Sequence, residues 1–193
     1  GKEAHRSAAA IVAALKEGLS AAGLPEDALQ LVEDTTRASS NELMTATGYV
    51  DLLIPRGGAG LIRACVDNAT VPVIETGTGI CHIYVDRRAD QEMALNIVEN
   101  AKCSRPSVCN AAECLLVHEA VAEAFLPKAK ALLDEKHVEL RGCPRTAEIL
   151  GPCVVPAAAE DWDTEYGDYI LAVRVVKDAD EAIAFINDHG SGH

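Results

Sequence analysis

Apolar residues recur along the chain at helical spacing in some stretches and form short continuous runs in others. The helix predicted at 7–22, for example, carries Ile11, Leu15 and Leu19 on one face. Further helices are predicted at 40–47, 59–67, 89–101, 121–133, near 147 and at 179–188, and strands at 29–32, 50–54, 71–74, 80–85, 114–117, 138–140 and 169–176. Strands that alternate with helices of this length predict an α/β fold with a parallel sheet.

The composition indicates a folded chain, and the net charge argues against some classes of binding partner. Hydrophobic residues make up 49% of the 193 positions and charged residues 24%, which provides a core and argues against disorder. The formal net charge of −13 repels nucleic acid and anionic lipid, so we expect neither as a partner. No apolar run approaches the length that spans a bilayer, so we expect no membrane segment. A small anionic substrate is compatible with this charge, because helix N-termini bind phosphate locally.

The seven cysteines favour an intracellular location. Their number is odd, their spacing is irregular, and none forms a CxxC pair. This pattern argues against a disulfide framework and against a zinc site. We therefore expect no metal, and we expect most of the cysteines to be free and buried, as in a cytoplasmic protein.

The segment 102–111, Lys-Cys-Ser-Arg-Pro-Ser-Val-Cys-Asn-Ala, is the strongest local sign of chemistry. Cys109 lies on a predicted loop near an arginine, where positive charge and backbone N–H groups lower the pKa of a thiol. Cys103 and Cys114 are equally close in sequence, and the spacing singles out none of the three. A buried structural cysteine is the more common role for each, so the local pattern alone favours that interpretation.

Two glycine-rich turns follow predicted strands. Residues 56–58, Arg-Gly-Gly, lead into a helix whose free N–H groups suit a phosphate, although a plain strand-to-helix turn explains them equally well. Residues 76–79, Thr-Gly-Thr-Gly, either admit a ligand close to the backbone or form a tight turn. Glu75 ends the strand before them, where a solvated strand end is the first interpretation and a general base the second.

Five longer segments carry the most specific signal. They are Ile-Pro-Arg-Gly-Gly at 54–58, Glu-Thr-Gly-Thr-Gly-Ile-Cys-His-Ile-Tyr-Val-Asp at 75–86, Asn-Ala-Lys-Cys-Ser-Arg-Pro-Ser-Val-Cys-Asn-Ala at 100–111, Thr-Glu-Tyr-Gly-Asp-Tyr at 164–169 and Asn-Asp-His-Gly-Ser-Gly-His at 187–193. Together they resemble the γ-glutamyl phosphate reductase family of the aldehyde dehydrogenase superfamily. The resemblance implies an aldehyde dehydrogenase-like α/β fold, with part of a Rossmann-like NADP-binding domain at 1–104 and part of a catalytic domain at 105–193.

The resemblance also implies a reaction and its residues. Members of the family reduce γ-glutamyl phosphate with NADPH to glutamate-5-semialdehyde, a step of proline biosynthesis. Cys109 would displace phosphate to form a thioester, which hydride would then reduce. Glu75 precedes Cys109 by 109 − 75 = 34 residues, which is similar to the separation between general base and nucleophile in the superfamily. A general base is less necessary in this reaction, because the reduction activates no water.

The cofactor-binding residues follow from the same resemblance, whereas Arg105 follows from charge alone. The cofactor-binding set comprises Lys2 and Glu3 near the adenosine ribose, Arg56, Gly57 and Gly58 near the phosphates, and Glu165 at the nicotinamide ribose. Arg105, chosen for its charge, and Asn110, which follows Cys109, are the candidates for binding the substrate.

The chain starts at a helix and stops after one, where a complete α/β domain would supply further strands. We therefore expect the middle part of a longer enzyme, which the resemblance implies is a homo-oligomer, and we expect the isolated residues to be inactive or nearly so. Two alternatives are a reductase module in a bifunctional enzyme with an N-terminal glutamate kinase, and an inactive module that only binds or assembles. A generic aldehyde oxidiser is disfavoured, because the cysteine loop lacks that group's usual sequence.

Overall fold

The computed structural model describes residues 4–75 and 77–193, and within them the backbone forms seven α-helices and five β-strands. The helices are α1 (His5–Ala21), α2 (Arg37–Thr45), α3 (Ala59–Asn68), α4 (Gln91–Cys103), α5 (Glu119–Asp134), α6 (Pro144–Leu150) and α7 (Ala179–His189). The strands are β1 (Cys81–Val85), β2 (Ala112–His118), β3 (Glu139–Gly142), β4 (Val155–Pro156) and β5 (Ile170–Val176). These elements fall into two units, one up to residue 76 and one from residue 77 onward.

The second unit is built on a parallel sheet of five strands in the order β1-β2-β5-β3-β4. All neighbouring pairs run parallel, and β2 lies between β1 and β5. Every residue of β2 is buried, and its sequence Ala-Glu-Cys-Leu-Leu-Val-His is almost continuously apolar. Such runs are typical of a parallel strand that is covered on both faces. The α/β fold with a parallel sheet, predicted from the alternating pattern, is confirmed.

The core lies on both faces of this sheet. Successive residues of a strand point to opposite faces, so Leu115 joins one buried cluster and Leu116 the other. The cluster around Leu115 includes Phe125 of α5 together with buried residues of α4. The cluster around Leu116 includes Phe185 of α7. Helices therefore cover both faces, as in other α/β folds.

The predicted helices are confirmed, with ends that differ by three residues or fewer. Side-chain caps explain two of the starting points. The carboxylate of Asp90 accepts hydrogen bonds from the N–H groups of Glu92 and Met93, and that of Asp178 accepts one from Glu181. Both are the short polar residues that favour a helix N-terminus.

The predicted strands of the first unit are the main error of the sequence analysis. No strand forms at 29–32, and the runs at 50–54 and 71–74 meet only at a single parallel bridge between Leu53 and Val73. Leu53 donates to the Pro72 carbonyl at 2.8 Å and accepts from Ile74 at 2.9 Å. Proline has no N–H to donate, so the run at 71–74 offers few groups for a longer ladder.

The two units divide earlier in the chain than the predicted boundary between 104 and 105. β1 and α4 precede that boundary, yet they pack on the sheet of the second unit. The assignment of a cofactor domain to 1–104 and a catalytic domain to 105–193 concerns the function of each part and stays a prediction. Within the described residues, no helix combines the length and the apolar character needed to cross a membrane.

Candidate active site

Cys109 lies on the turn that connects the end of α4 to the start of β2. The turn is closed by backbone hydrogen bonds from Val108 to Arg105 at 3.4 Å and from Ala111 to Val108 at 3.0 Å. Cys109 and the next residue, Asn110, are both exposed. In the part of the chain that the structure describes, their N–H groups have no hydrogen-bond acceptor. The turn thus presents a thiol together with free backbone donors.

Gly79 fixes the position of this turn. A Cβ atom on Gly79 would lie 1.8 Å from the carbonyl oxygen of Cys109, far inside van der Waals contact, so only glycine allows this approach. The Sγ atom of Cys81 lies 3.6 Å from the same oxygen. From the sequence alone, residues 76–79 either admit a ligand close to the backbone or form a tight turn. At Gly79, the group that comes close is the backbone of Cys109.

Three neighbouring strands bring separate segments together at the edge of the sheet formed by the amino-terminal ends of the strands. β1 starts at Cys81, β2 follows the Cys109 turn, and β5 follows the segment 164–169 that carries Glu165. Burial raises the pKa of Cys81, and the negative charges of Cys109, Glu113 and Glu165 raise it further. The Sγ atom of Cys81 lies 3.6 Å from the Cys109 carbonyl oxygen, so Cys81 lies beside the cysteine turn.

The segment after α7 lies against the start of β1. The Ser191 hydroxyl accepts a hydrogen bond from the Ile80 N–H at 3.0 Å, and the Nδ1 atom of His193 lies 3.7 Å from the Sγ atom of Cys81. A cavity of about 600 Å³ lies between this segment and β1. Cys81 lines the cavity and contacts the Cys109 carbonyl, so the cavity adjoins the cysteine turn.

The environments of the cysteines distinguish Cys109 from its sequence neighbours. Cys114 is buried and Cys103 half-buried, and burial raises the pKa of both thiols, which disfavours the reactive thiolate. Cys109 is exposed, as is Cys153. All seven cysteines are free, as expected, but only three are buried, so the prediction that most are buried is wrong. Because Cys109 lies on the turn outside the sheet, its side chain does not pack in the core.

The candidate residues for cofactor binding that can be located lie mainly in the first unit. Arg56 is exposed directly before α3, and the helix begins without a side-chain cap. Among the described residues, the N–H groups of Gly58 and Gly60 have no acceptor. Gly57 has a φ of 155°, and a Cβ there would lie 3.1 Å from Leu61. An uncapped helix start beside an arginine fits a phosphate group.

The other predicted residues are placed as follows. Glu75 is exposed in the first unit, and Glu165, Arg105 and Asn110 are exposed in the second. Lys2 and Glu3 lie outside the described residues. The structure therefore brings Cys109, Asn110, Arg105 and Glu165 to one side of the sheet, and it gives no test of the roles assigned to them.

One pair of charged residues was missed by the sequence analysis. Lys102 and Glu113 are fully buried, and the Nζ atom of Lys102 donates to Oε2 of Glu113 at 2.7 Å. A signal for it exists in the sequence, because Ala94, Val98 and Lys102 recur at intervals of four on the buried face of α4. A lysine on an apolar face, followed by a glutamate inside an apolar strand, indicates a buried ion pair.

Asp161 anchors the 3₁₀ turn at Ala159–Asp163, which precedes the segment 164–169. Its Oδ1 atom accepts from Nη1 of Arg141 at 2.7 Å and from the Tyr166 hydroxyl at 2.8 Å, and its Oδ2 atom accepts from the Ala158 N–H at 2.7 Å. Burial raises the pKa of Asp161, but these hydrogen bonds outweigh burial and hold the pKa below its usual range. The charged carboxylate therefore stabilises the turn.

Replacing Asp161 with asparagine is expected to destabilise the fold at neutral pH by about 1–3 kcal/mol, as for other hydrogen bonds to a charged group. The folded state lowers the pKa of Asp161, so the carboxylate stabilises the protein above about pH 4, the ordinary aspartate range. This stabilisation is lost as the pH falls through the lower value in the folded state. Thermal unfolding of the two proteins should differ near neutral pH and converge in acid, and a difference that stays constant would contradict this role.

A parallel sheet with an exposed cysteine on the turn before its second strand agrees with the aldehyde dehydrogenase-like fold that the resemblance implies. The model of the aldehyde dehydrogenase family matches residues 2–164, and the chain belongs to this family. The chain is 58% identical to the γ-glutamyl phosphate reductase of Streptococcus suis and 55% identical to that of Clostridium perfringens. Each alignment covers 100% of the chain and 46% of the relative, so the chain spans about half of their length.

Solved structures agree with this assignment. The crystal structure of γ-glutamyl phosphate reductase from Thermotoga maritima aligns with a TM-score of 0.91 and 49% identity, covering 100% of this chain and 46% of that one. Glyceraldehyde-3-phosphate dehydrogenase from Methanocaldococcus jannaschii, solved with NADP, aligns with a TM-score of 0.73 and 13% identity over 97% of this chain and 49% of that one. The second likeness concerns the fold alone.

Proposed function

We propose that this chain forms the cysteine-bearing part of a γ-glutamyl phosphate reductase. The enzyme would reduce γ-glutamyl phosphate with NADPH to glutamate-5-semialdehyde and phosphate, in proline biosynthesis. The observation that carries the proposal is the exposed Cys109 on a turn whose position is fixed by Gly79. The identity of 58% to a reductase of that name supports the choice of substrate.

Cys109 is the nucleophile in this proposal. Its thiolate attacks the acyl carbon of γ-glutamyl phosphate, the carbon–sulfur bond forms, and the bond to the phosphate oxygen breaks. Phosphate leaves with the electron pair and takes up a proton from solvent. The free N–H groups of Cys109 and Asn110 are available to the oxyanion that develops during this attack. The product of the step is a thioester on Cys109.

Reduction of the thioester completes the cycle. NADPH supplies the hydride, which is the chemistry that the chain itself lacks. As the carbonyl carbon is reduced, the carbon–sulfur bond breaks and Cys109 recovers its thiolate, so the residue enters the next cycle unchanged. The backbone donors hold the oxygen again during this second step. No water is activated, so Glu75 shapes the site in this proposal and is not required as a base.

Residues of this chain are proposed to contribute to the cofactor site in each unit separately. Arg56 and the N–H groups at the start of α3 suit its phosphates, since that helix has no side-chain cap. Glu165, in the segment that precedes β5, would bind the nicotinamide ribose. Lys2 and Glu3 are assigned to the adenosine ribose on the resemblance alone. Arg105 and Asn110 bind the substrate.

The complete enzyme is proposed to be a cytoplasmic homo-oligomer in which these 193 residues supply the nucleophile and part of the cofactor site. They correspond to about half of the length of the relatives, and we expect them to show no turnover when expressed alone. Experiments on activity therefore use the product of the complete reading frame that contains them, which we call the complete gene product.

The reverse reaction provides the test. The complete gene product is incubated with glutamate-5-semialdehyde, phosphate and NADP⁺, and NADPH formation is followed by ultraviolet absorbance. We expect a rate that requires both the aldehyde and phosphate, because phosphate must release the acyl group from Cys109. Oxidation of the aldehyde at the same rate without phosphate would identify a generic aldehyde oxidiser and would overturn the proposal.

A further inference from the structure

The turn that carries Cys109 is closed at its base by a buried ion pair. Lys102 belongs to the last turn of α4 and Glu113 is the second residue of β2, so they lie on either side of the turn. Their side chains are 0% and 1% exposed, and Nζ of Lys102 donates to Oε2 of Glu113 at 2.7 Å. A charge buried without a partner is strongly unfavourable, so the two side chains hold each other in place.

The same carboxylate also binds a second segment. The Oε1 atom of Glu113 accepts a hydrogen bond from the Gly167 N–H at 3.2 Å. Burial raises the pKa of Glu113, while Lys102 and the N–H groups of Gly167 and Tyr166 oppose this and favour the carboxylate. Gly167 has a φ of 60°, a conformation that glycine adopts easily. Glu113 thus connects the Cys109 turn to the segment that carries Glu165.

Stability alone does not explain the buried ion pair of Lys102 and Glu113. A buried ion pair is often replaceable by apolar residues without loss of stability, so its presence calls for another reason. Here the two oxygens of one carboxylate are divided between α4 and the backbone at Gly167. Apolar side chains at the same positions would fill the space, but they would leave the Gly167 N–H without this acceptor.

We infer that Lys102 and Glu113 are positioning residues that set the distance between the Cys109 thiol and the nicotinamide held at Glu165. This inference rests on the proposed function, which supplies the roles of Cys109 and Glu165. Neither positioning residue touches substrate or cofactor. Their loss shifts the turn relative to the 165–167 segment, and a misplacement of about 1 Å between reacting groups lowers the rate by about 10²-fold.

The first test is Glu113→Gln in the complete gene product, assayed well below its unfolding temperature. We expect kcat to fall by about 10–100-fold, with little change in the KM for phosphate. Alkylation of Cys109 by limiting iodoacetamide, mapped by mass spectrometry, should change in rate relative to the distant exposed Cys153 of the same molecule. Thr146→Val is the control, since it removes a buried hydrogen bond to the Val173 carbonyl away from the turn. That variant should lose stability and keep kcat.

The double variant Lys102→Met, Glu113→Leu separates positioning from stability, and it decides the question if Glu113→Gln does not fold. It removes both charges together, so we expect it to be more stable than Glu113→Gln, although the Gly167 N–H still lacks its acceptor, while kcat stays low. Recovery of kcat along with stability would overturn the inference, as would a Glu113→Gln variant with unchanged kcat and unchanged alkylation of Cys109. If the unmodified protein shows no phosphate-dependent activity, the proposed function fails, and the alkylation rates alone then decide the positioning role.

Discussion

Replacing Cys109 with serine is expected to lower kcat of the complete gene product by at least about 10³-fold, because the step that forms the covalent intermediate is lost. A serine hydroxyl is far less acidic than a thiol, so the variant has almost none of the anionic form that attacks the acyl carbon. NADPH binding should persist, since the cofactor contacts proposed for Arg56 and Glu165 are untouched. The phosphate-dependent reverse assay measures the rate, and fluorescence titration with NADPH measures binding.

Cys153 provides the matched control. It is the other exposed cysteine, and it lies on the 3₁₀ turn Gly151–Cys153 beyond α6. Cys153→Ser should keep full activity. With limiting iodoacetamide near neutral pH, the unmodified protein should be alkylated at Cys109 before Cys153, and loss of activity should follow modification of Cys109. An active Cys109→Ser variant would show that the thiol is not the nucleophile.

The parallel sheet and the gathering of segments around it follow largely from sequence. The predicted strands at 80–85, 114–117 and 169–176 correspond to β1, β2 and β5, and these three are neighbours. Because these strands are parallel, the segments that precede them must meet at the same edge of the sheet. The general expectation for open α/β sheets places ligands at the carboxyl ends of strands, whereas the candidate site lies at the amino ends. Only the longer motifs pointed there.

What the sequence did not reveal depends on contacts between distant residues. The local pattern could not choose among three cysteines, whereas in the fold Cys114 enters the core as part of β2 and Cys109 stays outside it. The contact between Ser191 and Ile80 joins residues 111 positions apart. In the first unit, apolar runs predict strands that do not form, because strand formation depends on pairing partners as much as on side chains. Hydrophobic periodicity carries none of this information.

Replacing Gly79 with alanine is expected to lower both kcat and stability, because Gly79 closely approaches the backbone of Cys109. The added Cβ would lie 1.8 Å from the Cys109 carbonyl oxygen, more than 1 Å inside any normal contact, and the obstructing atom is backbone. The turn must therefore move by about 1 Å, which is expected to lower kcat by about 10²-fold. Overpacking of this kind also destabilises the fold, by about 1–3 kcal/mol. Steady-state kinetics and thermal unfolding measure the two effects.

Gly77→Ala is the control that isolates the contact. Gly77 belongs to the same loop, yet among the described residues a Cβ there meets nothing within 4 Å. Both substitutions remove the same backbone freedom from the unfolded chain, so the difference between them reports the clash with Cys109. Gly77→Ala should keep kcat and the unfolding temperature close to those of the unmodified protein. If Gly79→Ala behaves the same way, the turn tolerates displacement, and its position does not limit the reaction.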